Sequence, residues 1–482
     1  MSGKGSTPTV IHLAILLAIF LAGHVVVSDD TTPIPADASA VRGWFSANVQ
    51  AFRTRKATLD PEVVAAEANP QVIMVRQDGT GNFKKINDAI KSIPSGNTRR
   101  VIIWIGAGEY REKITIERTK PFITFYGSPN AMPTITQSGT ALQYGTLDSA
   151  TVIVDSDYFV AANIIFKNSA PRPDNIRKGA QASALRISGT KAAFYKCKML
   201  GFQDTLCDDK GVHFFRDCYI EGTVDFIFGR GKSIYLNTQL HVLGDKDVTV
   251  ITAQARDSAA EDVGYSFVHC HVTGTGKRTY LGRAWMPYPR VVFAYTSMTN
   301  VVLPVAWDES SKPERRQTVY FAEYKCYGAG ANMARRAKFS KKLTDAQVRP
   351  YLTLGYIQGS KWLLPPPPRD SVAEDVGYSF VHCHVTGIGK RTYLGRAWMP
   401  YPRVVSAYTS MTDVVLPVAW DENSKPQRRQ NVYFAEYKCY GAGANMAGRA
   451  KFSKKLTDAQ VQPYLTLGYI QGSKWLLPPP RL

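Results

Sequence analysis

Two phrases of the sequence keep one phase. Cys197, Gly201 and Asp204 return 21 residues later as Cys218, Gly222 and Asp225. They sit in "AAFYKCKMLGFQDTL", "VHFFRDCYIEGTVDFI" and "SIYLNTQLHVLGD", runs marked by Phe194, Phe215 and Tyr235 at steps of 21 and 20. Each run is rich in Val, Ile, Phe and Tyr and ends in Gly, Asn or Asp, the texture of a strand and its turn. "VIIWIGAGEY", "ITIERTKPFITFYG" and "ATVIVDSDYFVAANIIFKNS" upstream share that texture. Helical spacing is poor, and helices are expected only in "AVRGWFSANVQAF", "INDAIKSI" and "LTDAQVRPYL". Many short strands at a step of about 20 residues make a sandwich, a barrel or a parallel β-helix. In a β-helix, residues one coil apart stack at about 4.8 Å and point the same way. Cys197 and Cys218 are then expected as an inward stack of thiols rather than a disulfide, with Asp204 beside Asp225 on adjacent coils.

Two carboxylates that close repel, so one pKa rises while the other stays low. One acid and one nucleophile can then coexist at one pH. Taken alone, the pair reads equally well as solvated coil corners. Its neighbours favour chemistry. Gln203 precedes Asp204, and Gln181 in "GAQASALRISG" lies about one coil earlier. Glutamine amides are neutral donors suited to a developing oxyanion. "YLGRAW" brings Arg283, able to hold a carboxylate by two hydrogen bonds, and Trp285, a flat face for a sugar ring. Two carboxylates, two amides, an arginine and an aromatic form an acyl-transfer set. No Gly-x-Ser-x-Gly elbow is present, which disfavours a serine esterase. The eight histidines are scattered, His269 and His271 alternate faces of a strand, and no metal site is expected.

The C-terminal part is a duplication. Residues 256–368 return as 369–481 without a gap, and ten of the 113 aligned positions differ, among them Thr275/Ile388, Phe293/Ser406 and Arg335/Gly448. The "PPPPRD" between the copies reads as a stiff extended linker. The expected division is 1–28, 29–368 and 369–482. The second copy carries Arg396 and Trp398, the counterparts of Arg283 and Trp285, yet nothing in it matches Gln181, Gln203, Asp204 or Asp225, so it forms no second site. The two copies are expected to compete for one seat, and a displaced copy exposes unpaired strand edges.

Lys4, the apolar run "VIHLAILLAIFLAGHVVVS" and a small-residue exit read as a secretory signal over residues 1–28, with an uncleaved anchor as the alternative. The net charge is +20, and residues 256–368 alone carry 16 basic against 8 acidic side chains. A basic surface suits a polyanion, or is a solvated face with no dedicated partner. Secretion makes nucleic acid the least favoured polyanion. The seven cysteines are an odd number, so at least one is unpaired within the chain.

In order and spacing, "GAQASALRISG", "GFQDTL", "GTVDFIFG", "TAQAR" and "YLGRAW" resemble the motif series of pectin methylesterases, the plant enzymes in particular, from about Val72 to about Pro367. The inhibitor-like pro-region of many plant members has no counterpart, so the likeness is to the short subgroup. The resemblance implies an all-β, right-handed parallel β-helix with a short N-terminal helix and a C-terminal helical and proline tail. It implies a secreted, cofactor-free hydrolase of the cell wall that cleaves the C6 methyl ester of homogalacturonan to methanol and pectate. Pectin is the implied partner, with a proteinaceous pectinesterase inhibitor as a further one; nucleic acid and a stable membrane association are not implied. Asp225 matches the nucleophile, Asp204 the general acid and later base, Gln181 and Gln203 the oxyanion donors, and Arg283 the arginine that holds the nucleophile. Thr146, Phe228 and Trp285 match substrate-contacting residues, together with Gln181 and Arg283. Ala284 departs from the usual proline of "LGRPW", which predicts a looser seat for Arg283 and Trp285. Two rivals stand beside this reading. One is a non-catalytic pectin-binding wall protein of the same fold, disfavoured by the complete residue set. The other is a β-helix glycosidase, which also pairs carboxylates but has no use for two amide donors.

Overall fold

The computed structural model describes residues 30–367 and 377–470, except 175, 245–246, 390, 399–401 and 431. The apolar run read as a secretory signal lies outside the described residues. From Gln71 to Lys342 the chain winds through three parallel sheets of eleven, eight and eight strands. Eight complete coils each give one strand to each sheet. Ala192–Tyr195, Lys198–Leu200 and Leu206–Asp208 make one coil, and Val212–Arg216, Tyr219–Gly222 and Ile227–Gly229 the next. All registered pairs are parallel, as in a β-helix.

The corner from the eleven-stranded sheet into the next is one left-handed residue per coil: Asn163, Lys196, Asp217, Asn237, His269 and Tyr295, with φ between 50° and 58°. That backbone is unfavourable for residues other than Gly. It is offset by a ladder in which each corner N–H donates to the coil above, as from Lys196 to the Arg216 carbonyl and from Asp217 to that of Leu236. The residue after each corner turns inward, so Cys197, Cys218 and Cys270 are buried, and all three are free thiols.

Behind them runs an aromatic column. Phe194 stacks on Phe215 at 4.8 Å, Phe215 on Tyr235, Tyr235 on Phe267 and Phe267 on Phe293, each of the last three at 4.5 Å. Offset stacking at this spacing adds about 0.5–1.5 kcal/mol per pair beyond area burial. The three rings that set the period in the sequence are this column. The period itself is local. Two short steps bring Ala192 beside His213 and Val212 beside Lys232. Other coils run much further before they return to the same sheet, from Thr124 to Val160, from Val160 to Ala193 and from Lys232 to Gly264. The longer coils carry extra residues between strands, so the period seen in the sequence belongs to the short coils alone.

The expected helices form at Val41–Asn48, Ile86–Lys91 and Asp345–Val348, the last continued by a 3₁₀ turn because Pro350 follows. A further helix, Pro61–Glu67, is one that periodicity did not single out. Segments before and after the coils, Val41–Asn48 and 349–354, cover the outer face of the eleven-stranded sheet. Phe45 stacks on Phe214, Arg216 lies over the Phe45 ring at 3.7 Å, and Leu352 and Leu354 join the same apolar cluster.

The first copy of the duplication is continuous with this body, since Gly264–Val268 pairs with Lys232–Leu236. The second copy builds a separate four-stranded sheet starting at Tyr378–Val381. It repeats the internal contacts of the first. Arg449 holds Glu436 as Arg336 holds Glu323, both at 2.7 Å. Its first strand, however, has no equivalent of Lys232–Leu236 beside it among the described residues. Tyr378 is 69% exposed and Phe380 44%, where their counterparts Tyr265 and Phe267 are fully buried.

Candidate active site

The site forms where the chain enters the third sheet. Leu206 pairs with Ile227, so Asp204 and Asp225, each two positions earlier, occupy equivalent places on neighbouring coils, about 4.8 Å apart along the stack. Both have left-handed backbones, with φ of 65° and 50°. Aspartate tolerates that region better than most residues, and strained backbone tends to gather at functional sites. The Asp204 N–H donates to the Val224 carbonyl at 3.0 Å, which locks the two corners together. The glycines of the repeated phrase serve the same turn. A Cβ on Gly222 would lie 2.2 Å from Phe226 Cβ, and one on Gly201 2.9 Å from Thr205 Oγ1.

Both carboxylates are buried, with Asp204 7% and Asp225 5% exposed. Their partners differ. Arg283 Nε donates to both oxygens of Asp225 at 2.8 and 3.1 Å, and Nη2 donates to Oδ2. Burial pushes the Asp204 carboxyl well above the usual carboxylate range, the Asp225 charge pushes it further, and Arg283 pulls it back. Asp225 is also raised by burial, but its hydrogen bonds to Arg283 and the guanidinium charge oppose the rise; Asp308 adds to it. Asp225 is therefore the first of the two to ionise.

All eight residues singled out in the sequence line one cleft of about 350 Å³. Gln203 and Asp204 share its floor with Asp225. Gln181 reaches it from an adjacent coil, one position out of the expected register: the Ala182 N–H donates to the Gln203 carbonyl, so Ala182 rather than Gln181 lies beside Gln203. The Gln181 amide donates to Thr146 Oγ1 at 3.1 Å, which fixes both side chains. Phe228 follows Asp225 on the next strand, Ile227–Gly229. Trp285 stands at the rim, 53% exposed, with the Arg283 guanidinium 5.1 Å from its ring centre.

The loose seat predicted from Ala284 is not found. Ala284 is buried, and its N–H donates to the Asp308 carbonyl at 2.8 Å, a bond that proline cannot make. Arg315 donates to the carbonyls of Ala284 and Trp285 and holds the turn from the other side.

Sequence reasoning missed other cleft residues. Cys207, Asp209 and Arg230 line the same space. Asp209 and Arg230 keep the phase of the two aspartates, and the Arg230 N–H donates to the Asp209 carbonyl, so extending the repeated phrase a little further finds them. Behind Cys207 lies a fully buried polar cluster. His213 Nδ1 is 2.5 Å from Asp208 Oδ1, its Nε2 is 2.8 Å from the Gly189 carbonyl, and Tyr235 donates to Asp208 Oδ2. A carbonyl only accepts, so Nε2 carries hydrogen, and one proton lies between Nδ1 and Asp208. A lone His–Asp spacing within a strand run gave no signal for this cluster.

The chain is similar to one set of known proteins. A family model described as Pectinesterase matches residues 72–360 and 367–473. Pectinesterase 1 of Olea europaea is 56% identical over 354 residues, covering 73% of this chain and 96% of that protein. Among solved structures, pectin methylesterase from carrot has a TM-score of 0.54 and 31% identity, covering 60% of this chain and 95% of its own. A pectin methylesterase in complex with a hexasaccharide has a TM-score of 0.53 and 28% identity, over 61% of this chain and 98% of its own.

Proposed function

Because the chain belongs to the pectinesterase family, and so hydrolyses the methyl esters of pectin with release of methanol, we propose that Asp225 is its nucleophile and Asp204 its acid and base. The observation that carries this assignment is the unequal environment of two adjacent buried carboxylates. One is held by Arg283, and the other is raised by burial beside it. A nucleophile must be ionised, and the Arg283 pair favours that state. A general acid must be protonated near the working pH, and burial favours that one.

In the proposed sequence an Asp225 oxygen attacks the C6 carbonyl of a methylated galacturonate. The resulting oxyanion is met by neutral amides, for which Gln203 and Gln181 are the candidates. The C6–OCH₃ bond breaks, and Asp204 gives its proton to the departing methanol. The product on the enzyme is a mixed anhydride between Asp225 and the sugar acid. Asp204, now a carboxylate, takes a proton from water; the water oxygen adds to C6, and the Asp225 carboxylate leaves. Trp285 offers an exposed ring against which a sugar can stack, and Thr146 and Phe228 complete the proposed substrate contacts.

The same reading includes three further parts. Residues 29–368 form the working unit, and 369–482 a partial copy outside it, supported by the separate sheets of the two segments. The chain is secreted to the cell wall, supported by the N-terminal apolar run; no described helix is long and apolar enough to cross a membrane. Pectin is the partner, and a proteinaceous pectinesterase inhibitor a second one on family resemblance alone. Methanol release from methylated pectin tests the central assignment. Asp225→Ala is expected to lose nearly all turnover, and release equal to that of the unaltered protein would remove Asp225 as nucleophile.

A further inference from the structure

The duplication repeats part of the site without its nucleophile, and the arginine behaves differently there. Residues 278–292 and 301–309 are identical to 391–405 and 414–422. In both copies the arginine and an aspartate one coil on are register partners: Arg283 with Asp308, and Arg396 with Asp421. In the second copy they bond, Arg396 Nε to Asp421 Oδ2 at 2.7 Å. In the first copy Arg283 passes over this neighbour and reaches the other way, to Asp225.

The reach is long. Phe228 on the Asp225 coil pairs with Ala253, and Thr252 on that middle coil pairs with Gly282, so Asp225 lies two strands back from Arg283. Two strands are about 9.6 Å of stacking and one strand about 4.8 Å. The nearer carboxylate, Asp308, forms no salt bridge among the described residues. Its charge is felt at Asp225, which it pushes up. One guanidinium thus has a near carboxylate and a far one, and the duplicate shows where it goes when the far one is missing.

We propose that Asp308 is the alternate seat of Arg283, taken up while Asp225 is acylated. The inference rests on Asp225 being the nucleophile. When the anhydride forms, Asp225 loses its negative charge, and a part-buried guanidinium loses its counter-ion. An uncompensated cation in such a place is strongly unfavourable. Asp308 is one strand away on the same face and restores the pair. When water cleaves the anhydride, the Asp225 carboxylate re-forms and draws Arg283 back, stabilising the leaving group as it departs. No electron or proton moves in the swing itself. Asp308 is therefore a positioning residue, and it lowers the energy of the acylated state.

The first test is structural. A crystal structure of Asp225→Asn, which keeps the shape and removes the charge, is expected to show Arg283 bonded to Asp308 as Arg396 is to Asp421. Arg283 remaining on the substituted amide would overturn the proposal. The second is kinetic. Asp308→Asn is expected to slow the first turnover of methanol release roughly tenfold, the scale of one charged hydrogen bond, with KM nearly unchanged and partial rescue by Asp308→Glu. First-turnover rates within twofold of the unaltered protein would overturn it as well. Asp225→Ala separates the two levels of argument. Retained turnover in that variant removes the nucleophile assignment, whereas a dead Asp225→Ala with an unaffected Asp308→Asn removes only the alternate seat.

Discussion

The two copies differ at one position inside the aromatic column. Phe293 is fully buried, stacks on Phe267 at 4.5 Å with planes 11° apart, and leans on Trp307 at 6.0 Å. Its counterpart is Ser406, also buried. Replacing a core Phe by Ala costs about 3–5 kcal/mol through lost transfer energy and the cavity left behind. Serine adds a hydroxyl to an apolar site, which it can partly satisfy on its own backbone, so Phe293→Ser is expected to cost about 4 kcal/mol. That is a large share of the roughly 5–15 kcal/mol typical of a folded domain. The assay is urea unfolding followed by tryptophan fluorescence, because Trp307 borders the altered position and Trp420 reports on the second copy. The first-copy transition should move to lower urea while the second stays in place. The reverse change, Ser406→Phe, should move the second transition upward. A Phe293→Ser shift equivalent to less than about 1 kcal/mol would refute the claim that the ring column stabilises the first copy.

Asp204→Asn is expected to abolish methanol release and also to raise the melting temperature near neutral pH. The folded Asp204 carboxyl has a raised pKa, so its contribution to stability is fully present below the unfolded value near about 3.9 and is lost as pH rises through the folded value. The gain from Asn should therefore shrink as the buffer is made acidic, and a gain independent of pH would contradict the assignment. Gly222→Ala is expected to destabilise by about 1–3 kcal/mol, since its methyl would lie 2.2 Å from Phe226 Cβ, and to lower kcat by moving the Asp225 corner. A fully active, equally stable Gly222→Ala would show that the repeated glycine is not needed for space.

Much of the fold was legible because its short coils repeat without insertion. Phe194, Phe215 and Tyr235 are register partners, and the same phase carries Cys197 with Cys218 and Asp204 with Asp225. Gln181 sits one position off because its coil meets the next at the same step of 21, Leu185 beside Leu206, whereas Gln181 and Gln203 are 22 residues apart. Asp308 was invisible for a different reason. Its interest comes from lying beside Arg283 on the neighbouring strand. That coil is longer than the repeated ones, and nothing in "VAWDES" marks the pairing. The expected looseness at Ala284 failed because the freed N–H found a carbonyl, a gain that only the register reveals.

Coil length then separates two kinds of residue in the site. The short steps from Ala192 to His213 and from Val212 to Lys232 carry little slack. They hold Asp204 and Asp225 at the spacing of the stack itself, so the distance between acid and nucleophile is set by the hydrogen-bond ladder. Longer steps flank them. The step from Thr124 to Val160 carries Thr146, and the step from Val160 to Ala193 carries Gln181. On the far side the step from Tyr265 to Val291 carries Arg283 and Trp285. Reacting groups need positions fixed to a fraction of an ångström, and the short coils supply that. A polymer needs walls and a stacking face, and loops can vary to provide them. Insertions in the short coils should therefore abolish turnover, whereas changes of loop length around Thr146 or Trp285 should alter which stretches of pectin bind and leave the acid–nucleophile spacing intact.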